Sequence, residues 1–365
     1  MIGKKMTRRE RLRLLYNHLE VDRPGVFNRT GYPENDPTYD EVKAYLAEKS
    51  ELKGWWPAHR LLEPLPAEWH TEPFSEDFER RVCVLHTPKG DLRSTFLASR
   101  KGQPGMMQEY LLKTPEDIEA YLSLPLPKVG GEVDAFFEAD RAMGDRGIVE
   151  VGFGINPAGE AVELLGSDAF ARMSVTNREA LHALCERRLK VQMALLQYCL
   201  ERGLGPYFAF AGQEYFVPPL HGPRDFWDFS VRYDRPLFDE IHNAGGRVHV
   251  HCHGRVQKVM EAFVYMGVDV LHPFEAPPMG DITAAEAKEA ARGRMTLEGN
   301  IQIADMYERS PDEIRDQVRA LIRDVFDDQH GLIVAPTASG YIRGAGARFL
   351  ERCRAMVGAV LECEA

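Results

Sequence analysis

The chain lacks a long apolar run, a cluster of basic residues and a secretory leader pattern. No apolar run approaches the length of a membrane span, and the basic N-terminal residues precede an amphipathic helix pattern rather than the apolar core of a signal peptide. The net charge of -11 argues against nucleic-acid and membrane-surface partners, because these bind clustered Lys and Arg. We therefore expect a cytoplasmic protein with neither kind of partner.

Paired cysteines and phosphate-binding loops are also missing. The six cysteines are scattered without paired spacing, which indicates neither a disulfide framework nor a CxxC metal site; most are predicted to be free, buried thiols. Neither GxGxxG nor GxxxxGK[ST] follows any predicted strand, which weakens a nucleotide-binding interpretation.

The second half of the chain, from about residue 134, alternates helical patterns with short apolar strands. Strands too apolar for one exposed face indicate a parallel sheet covered by helices. The predicted strands are Ile148 to Ile155, Tyr207 to Gly212, Val248 to His253, Val268 to Phe274, Met295 to Glu298 and Leu332 to Ala335.

Two further strands bring the predicted count to eight. One lies near Val26 and the other near residues 170–175. Eight strands favour an α/β fold of the (β/α)8 TIM-barrel type over an open doubly wound sheet. With 365 residues, we expect one domain over 1–365, in which an N-terminal helix over 7–20 is followed by an excursion over 35–130 that contains a hairpin around Gly90.

The segment Arg247-Val-His-Val-His-Cys-His-Gly254 carries the strongest chemical signal. Strand alternation places His249, His251 and His253 on one face, where buried imidazoles need partners such as a metal, an anion or carboxylates. His251 and His253 would lie at the end of the strand. His249, two residues deeper, is predicted to be a core histidine or a support for the other two.

Other polar side chains stand at the predicted carboxyl ends of strands, where barrel enzymes place their active sites. Each of them could also have a purely structural role, since such residues often stabilise a turn. They are Arg29, Tyr32, Asn156, Gln213, Glu214, Tyr215, Glu275, Glu298, Asn300, Thr337 and Ser339. Two imidazoles and one carboxylate from a neighbouring strand, either Glu275 or Glu214, would give three ligands and an open position, as in a catalytic zinc site.

Several segments resemble the uroporphyrinogen decarboxylase superfamily, in particular its methyltransferase-like branch. The resemblance covers nearly the whole chain and implies a (β/α)8 barrel. It is carried by Asp22-Arg-Pro24, Lys89-Gly90, Leu112-Lys-Thr-Pro-Glu-Asp117, Pro218-Pro219, His251-Cys-His253-Gly254, Gly267-Val-Asp269 and Gly299-Asn300-Ile301.

The chain departs from both branches of this superfamily. The methyltransferase branch ends the histidine strand in His-x-Cys-Gly and has a further Cys near the last strand, whereas this chain has His253 and the Cys-free segment Pro336-Thr-Ala-Ser-Gly340. The decarboxylase's Arg-rich loop is matched only by Arg29 with Gly31-Tyr32. Tetrapyrrole decarboxylation is therefore not expected.

The resemblance implies a metal-dependent methyltransferase or demethylase that acts on a small methylated compound. Zinc or another divalent metal is the expected cofactor, and a corrinoid, carried by a corrinoid protein, is the candidate acceptor. The expected roles are metal binding by His251, His253 and Glu275, proton handling by Glu214 or Tyr215 with Arg29 and Tyr32 as further catalytic residues, and substrate binding by Asn156, Gln213, Asn300 and Ser339.

Two alternatives and one assembly prediction complete the analysis. The alternatives are a decarboxylase of an anionic substrate, with Arg29 and Arg343 as the candidate cations, and a non-catalytic barrel that binds a ligand without turnover. A homodimer is predicted from the superfamily precedent and from the aromatic segment Trp55-Trp56-Pro57, which would be a large apolar surface if exposed.

Overall fold

The computed structural model describes residues 6–101 and 104–364, and it shows an eight-stranded parallel sheet wrapped by helices. This confirms the predicted α/β fold of TIM-barrel type. In order along the sheet the strands are β1 (Gly25–Val26), β12 (Leu332–Pro336), β11 (Thr296–Ile301), β10 (Val270–His272), β9 (Arg247–His251), β8 (Tyr207–Ala211), β7 (Gly147–Ile155) and β2 (Leu52–Pro57).

The two outer strands of this sheet, β1 and β2, approach each other at Glu51. The backbone N–H of Glu51 donates to the Val26 carbonyl oxygen (2.9 Å), and the Val26 N–H donates to Glu51 Oε2 (2.7 Å). These bonds join the two ends of the curled sheet. The carboxyl ends of the strands therefore surround a common interior.

The helices cover the outside of the sheet, and several begin with the caps that their sequences predict. Thr7 Oγ1 accepts the Glu10 N–H, which begins the first helix as expected, although that helix ends at Tyr16 rather than near residue 20. The helices are α1 (Arg8–Tyr16), α2 (Asp40–Lys49), α3 (Pro115–Leu122), α4 (Asp134–Met143), α5 (Pro157–Leu165), α6 (Ser167–Thr176), α7 (Arg178–Glu201), α8 (Pro223–Asp225), α9 (Arg232–Asn243), α10 (Met260–Met266), α11 (Ala284–Ala291), α12 (Asp305–Glu308), α13 (Pro311–Val325) and α14 (Gly346–Leu361). None of the described helices combines the length and the apolar character needed to cross a lipid bilayer.

A separate antiparallel sheet of four strands lies within the predicted excursion. Its two central strands form the expected hairpin, with Thr87 paired with Gly90 across the turn. The strands are β3 (Ala67–Pro73), β4 (Phe78–Thr87), β5 (Gly90–Ser99) and β6 (Met106–Glu109), in that order across the sheet.

One strand predicted from the sequence is wrong, and one strand of the barrel was not predicted. Residues 170–175 lie in α6, where Phe170 and Met173 are buried one helical turn apart, so the apolar spacing there has the helical period. The missing barrel strand is β2, which lies inside the range 35–130 predicted to be an excursion. That range is therefore part excursion and part barrel, because β2 pairs with β7 along its whole length.

Candidate active site

Strand β9 brings the histidine segment to the inside of the barrel, and its neighbour β10 adds a further imidazole. The register pairs His251 with His272 of β10 and with Ala211 of β8. His249 lies deeper on the same strand and is buried, while His253 follows the strand end with a side chain that is 39% exposed.

His251 and His272 form a close pair in which the proton of His272 can be assigned. The His272 Nε2 lies 3.0 Å from the Pro336 carbonyl oxygen, which only accepts, so this nitrogen carries a hydrogen. In neutral His272 the Nδ1 is then an acceptor, and it lies 2.8 Å from His251 Nδ1. Two groups therefore meet at His251 Nδ1, namely His272 Nδ1 and the Arg29 guanidinium, which only donates.

Burial and a nearby cation keep both of these rings neutral. Burial lowers the pKa of His251 to about 2, with Arg29 as the next cause, and it lowers the pKa of His272 well below its ordinary value. The Arg29 Nη1 lies 3.1 Å from His251 Nδ1 and 3.5 Å from His272 Nδ1, so its charge faces both rings.

His253 makes a different contact, with a carboxylate from the loop after β10. Its Nδ1 lies 3.1 Å from Glu275 Oε2, which also accepts the Gly254 N–H (3.2 Å). Burial alone raises the pKa of Glu275, but hydrogen bonding and charge from His253 outweigh it and the net direction is downward. The ionised carboxylate therefore accepts a hydrogen bond from His253 Nδ1.

The predicted metal ligands do not form one set of three donors. Glu275 contacts His253, whereas His251 contacts His272. Within residues 6–101 and 104–364, no group of three or more His, Cys, Asp or Glu side chains is arranged to hold a metal ion. The residues fit a metal only in part: His253 has its Nδ1 bonded to a carboxylate, as histidine ligands often do, whereas His251 Nδ1 faces the Arg29 cation. The metal itself stays a prediction.

Three of the predicted catalytic residues interact with neighbouring groups of the fold. Glu214 Oε2 accepts the Gly212 N–H (2.9 Å), and the Tyr32 hydroxyl accepts from Asn28 Nδ2 (2.7 Å). Burial, followed by the charge of Glu163, raises the pKa of Tyr215 to about 12. Their roles in proton transfer stay predictions.

The predicted substrate-binding residues fall into two groups. Asn156 and Gln213 are fully buried and donate their side-chain N–H groups to the Asp234 carboxylate, at 2.9 to 3.0 Å. Asn300 Nδ2 donates to the Phe274 carbonyl oxygen (2.5 Å), and Ser339 Oγ accepts the Gly31 N–H (3.1 Å). Of these four, only Ser339 lines the central cavity described next.

A cavity of about 230 Å³ opens inside the barrel. Three predicted residues line it, namely Arg29, His251 and Ser339. The structure adds the aromatic side chains Phe27, Trp55 and Phe210 to the walls and the polar side chains Lys53, Glu150 and His249. The cavity therefore combines aromatic walls with a few converging polar groups, as ligand sites do.

Sequence reasoning missed Lys53 and Glu150 and assigned His249 to a supporting role. Lys53 lies in the overlooked strand β2, and its Nζ is 2.6 Å from Glu298 Oε2. Glu150 lies in a correctly predicted strand, where a single acid inside an apolar run is a signal that could have been used. His272 was likewise inside a predicted strand but was not selected.

Comparisons with known proteins agree with this architecture. The family described as Uroporphyrinogen decarboxylase (URO-D) matches residues 97–343, more than half of the chain. A methyltransferase from Methanosarcina mazei superposes with a TM-score of 0.64 and 15% sequence identity, over 99% of this chain and 100% of that one. A B12-independent methionine synthase from Shewanella sp. W3-18-1 superposes with a TM-score of 0.43 and 12% identity, over 83% of this chain and 77% of that one. No curated protein matches the sequence significantly. At these identities the first likeness establishes the fold alone, and the second supports no inference.

Proposed function

The chain belongs to the uroporphyrinogen decarboxylase family, and from this premise we propose that it is a metal-dependent methyltransferase or demethylase that acts on a small methylated compound. The observation that carries the proposal is the pair His251 and His253, whose imidazoles lie together at the carboxyl end of β9, each with its Nδ1 engaged by a neighbouring side chain. The structural likeness to the Methanosarcina mazei methyltransferase supports the same reaction class.

The size of the cavity supports a small substrate. Pockets for drug-sized ligands enclose roughly 300–1,000 Å³, and this cavity measures about 230 Å³. A tetrapyrrole is larger than such ligands, so the family's named substrate does not suit this chain. A small methylated compound does.

His251 and His253 are the residues that would hold the metal. Neutral imidazole nitrogens suit zinc among the divalent metals, and a bound zinc would supply a Lewis acid for a substrate oxygen or a thiolate. Glu275 would orient His253, and His272 would orient His251, through the hydrogen bonds already described. A corrinoid is the candidate methyl acceptor, carried by a partner protein.

The test combines metal analysis with turnover. We expect the purified chain to contain a stoichiometric divalent metal and to transfer methyl groups from one or more methoxylated aromatics or methylamines to cob(I)alamin, followed by absorbance. His251→Ala and His253→Ala should each lose metal and activity. His86→Ala is the matched control, because this 44% exposed histidine lies in the four-stranded sheet. Full metal content in both site variants would remove the metal site from consideration.

A decarboxylase of a small anionic substrate is the second candidate, favoured by Arg29. Its guanidinium lines the cavity, and no Asp or Glu side chain of the described residues lies within 4.0 Å of it, so its charge is available to a carboxylate. Carbon dioxide release from small carboxylic acids that persists after chelator treatment would favour this candidate. Methyl transfer abolished by the chelator and restored by zinc would favour the first. Binding without either reaction would leave a ligand-binding barrel.

A further inference from the structure

One aromatic side chain of the cavity wall is open to a ligand and has no part in the proposed reaction. Trp55 is 53% exposed, whereas the two other aromatic side chains of the wall, Phe27 and Phe210, are 6% and 2% exposed. An exposed indole at a cavity is a large apolar surface, and covering it with a ligand is favourable. Trp55 is therefore the aromatic surface that a bound molecule would contact.

Strand pairing holds this indole in a fixed place. Lys53 and Trp55 are two residues apart in β2, so both side chains point to the inside of the barrel, where Lys53 is paired with Glu298. The indole lies against Gly152 of the neighbouring strand β7: a Cβ atom at Gly152 would fall 2.1 Å from both Cε2 and Cζ2 of Trp55. The absence of a side chain at Gly152 therefore lets the indole lie on the barrel wall.

The wall next to Trp55 is built from small residues. Gly152 pairs in the sheet with Ala209 of β8, and both Ala209 and Ala211 line the cavity. Ala211 pairs in turn with His251 of β9. Because these residues occupy little volume, the cavity stays open along the strands between Trp55 and His251, which is one of the proposed metal ligands.

The charges of the cavity decide which kind of ligand suits the indole. The face of an indole can bind a cation or a flat uncharged ring. Arg29 lines the same cavity, and no Asp or Glu side chain in the described part of the chain lies within 4.0 Å of it, so its charge repels a cation and attracts an anion. The wall therefore favours a flat, uncharged ring that carries an anionic group.

From these features we propose that Trp55 determines substrate specificity. It selects small methylated compounds that consist of a flat ring with a carboxylate, with the ring on the indole and the carboxylate at Arg29. This substrate class deepens the proposed methyltransferase function and rests on it for its meaning in catalysis. The contacts themselves need neither a metal nor methyl transfer, so they are measured separately from the reaction.

The experiment compares two acids that differ in the shape of the ring. The ring of 4-methoxybenzoate is flat, and that of trans-4-methoxycyclohexanecarboxylate is puckered. Calorimetric titration of the full chain should give at least about fivefold tighter binding of the flat acid, because only a flat ring stacks on an indole. The uncharged 4-methoxybenzamide should bind at least about tenfold more weakly than 4-methoxybenzoate, because it offers Arg29 no anion.

Variants of two tryptophans separate the role of Trp55 from a general effect. Trp55→Leu should remove the preference for the flat acid, whereas Trp55→Phe keeps a flat ring and should retain part of the preference. Trp227→Leu is the matched control and should keep the full preference. Trp227 is 41% exposed and packs against Tyr265, with ring centroids 5.0 Å apart, and it does not line the cavity.

Several results would overturn the inference. Equal binding of the two acids by the unaltered chain does so, as does absence of binding by both or a flat-ring preference that persists in folded Trp55→Leu. The comparison of ligands uses only the unaltered protein, so it decides the question even if Trp55→Leu does not fold. Methyl transfer to cob(I)alamin without a flat-ring preference would contradict the inference alone, and the preference without methyl transfer from any donor would contradict the proposed function alone.

Discussion

Lys53 and Glu298 form a deeply buried ion pair in the barrel interior, with side chains that are 2% and 0% exposed. The Lys53 Nζ also lies 3.9 Å from Glu150 Oε1, so one ammonium faces two carboxylates. Charges so far from water are tolerated only when they are paired. Loss of one partner of this pair should therefore lower the free energy of unfolding more than loss of a partner from an exposed ion pair.

Removal of one partner of this pair should be strongly destabilising. We expect Lys53→Met to lower the free energy of unfolding by about 3–5 kcal/mol, because it leaves Glu298 buried without its cation. Urea unfolding followed by circular dichroism measures this loss. The double variant Lys53→Met with Glu298→Leu is the control and should recover much of the stability. A loss below about 1 kcal/mol, typical of an exposed pair, would contradict the burial argument.

Asp234 gives the fold a specific dependence on pH. Burial raises the pKa of this carboxyl from 3.8 to about 7, although hydrogen bonds from Gln213 and Asn156 act in the opposite direction. Between these two values the folded chain binds more protons than the unfolded chain, so the free energy of unfolding falls as pH rises from about 4 to about 7. Above that range the contribution of Asp234 is constant.

Asp234→Asn tests this dependence. The amide does not titrate in this range. Between about pH 5 and pH 8 the free energy of unfolding should therefore fall less in the variant than in the unaltered protein, as measured by urea unfolding at both pH values. Asp239→Asn is the control, because this residue lies on the same helix, α9, with a side chain that is 55% exposed. Identical pH slopes for the Asp234 variant and the unaltered protein would rule out the proposed titration.

Helix α13 shows how local sequence sets an element's start and its buried face. Ser310 Oγ accepts the Glu313 N–H (3.3 Å), and Glu313 Oε2 accepts the Ser310 N–H (2.8 Å), which forms a capping box. Ile314, Val318 and Leu321 are buried at helical spacing. The sequence pattern indicates a helix over 311–326, and the observed helix ends at Val325.

Loss of this cap should have a measurable but moderate effect. We expect Ser310→Ala to lower the free energy of unfolding by about 1 kcal/mol, because an N-terminal helix N–H loses its acceptor. Thermal unfolding compares it with Ser310→Thr, which keeps a hydroxyl and should stay within a few tenths of a kcal/mol. An equal loss in both variants would show that the hydroxyl is not the stabilising group.

Strand β2 shows where local sequence reasoning fails. Its sequence, Leu52-Lys-Gly-Trp-Trp-Pro57, contains a charge, a glycine and a proline, which are typical of a loop rather than of a barrel strand. The strand pairs with β7, and inside the barrel its Lys53 is neutralised by Glu298, which lies far along the chain. No local pattern contains that information.

At the scale of the whole molecule, the aromatic segment Trp55-Trp56-Pro57, on which the dimer prediction partly rested, is exposed only in part. Trp56 is 4% exposed and packs edge-on against Phe136, with ring centroids 5.9 Å apart, whereas Trp55 is 53% exposed and lines the cavity. Two apolar side chains of the four-stranded sheet are exposed to a greater fraction: Trp69 is 69% exposed and Met106 is 62% exposed.

The homodimer stays a prediction, and it now concerns the edge strand β3. An exposed edge strand can pair with another chain, so we expect light scattering at micromolar concentration to give twice the mass of one chain. Trp69→Lys should lower the dimer fraction. Val175→Lys, at an 86% exposed position on α6, is the control and should not. A monomer mass for the unaltered chain would contradict the prediction.

The sequence by itself determined the barrel class, most of its strands and the histidine face of β9, because strand and helix periods and the buried apolar runs are local properties. Only the tertiary structure decided the partners: His272 beside His251, Glu275 beside His253, and Glu150 beside His249. These contacts depend on the register between neighbouring strands and on closure of the sheet, which bring together residues from distant parts of the chain. For the same reason the three predicted metal ligands do not lie together. The strand register places His251 beside His272, and His253 beside Glu275.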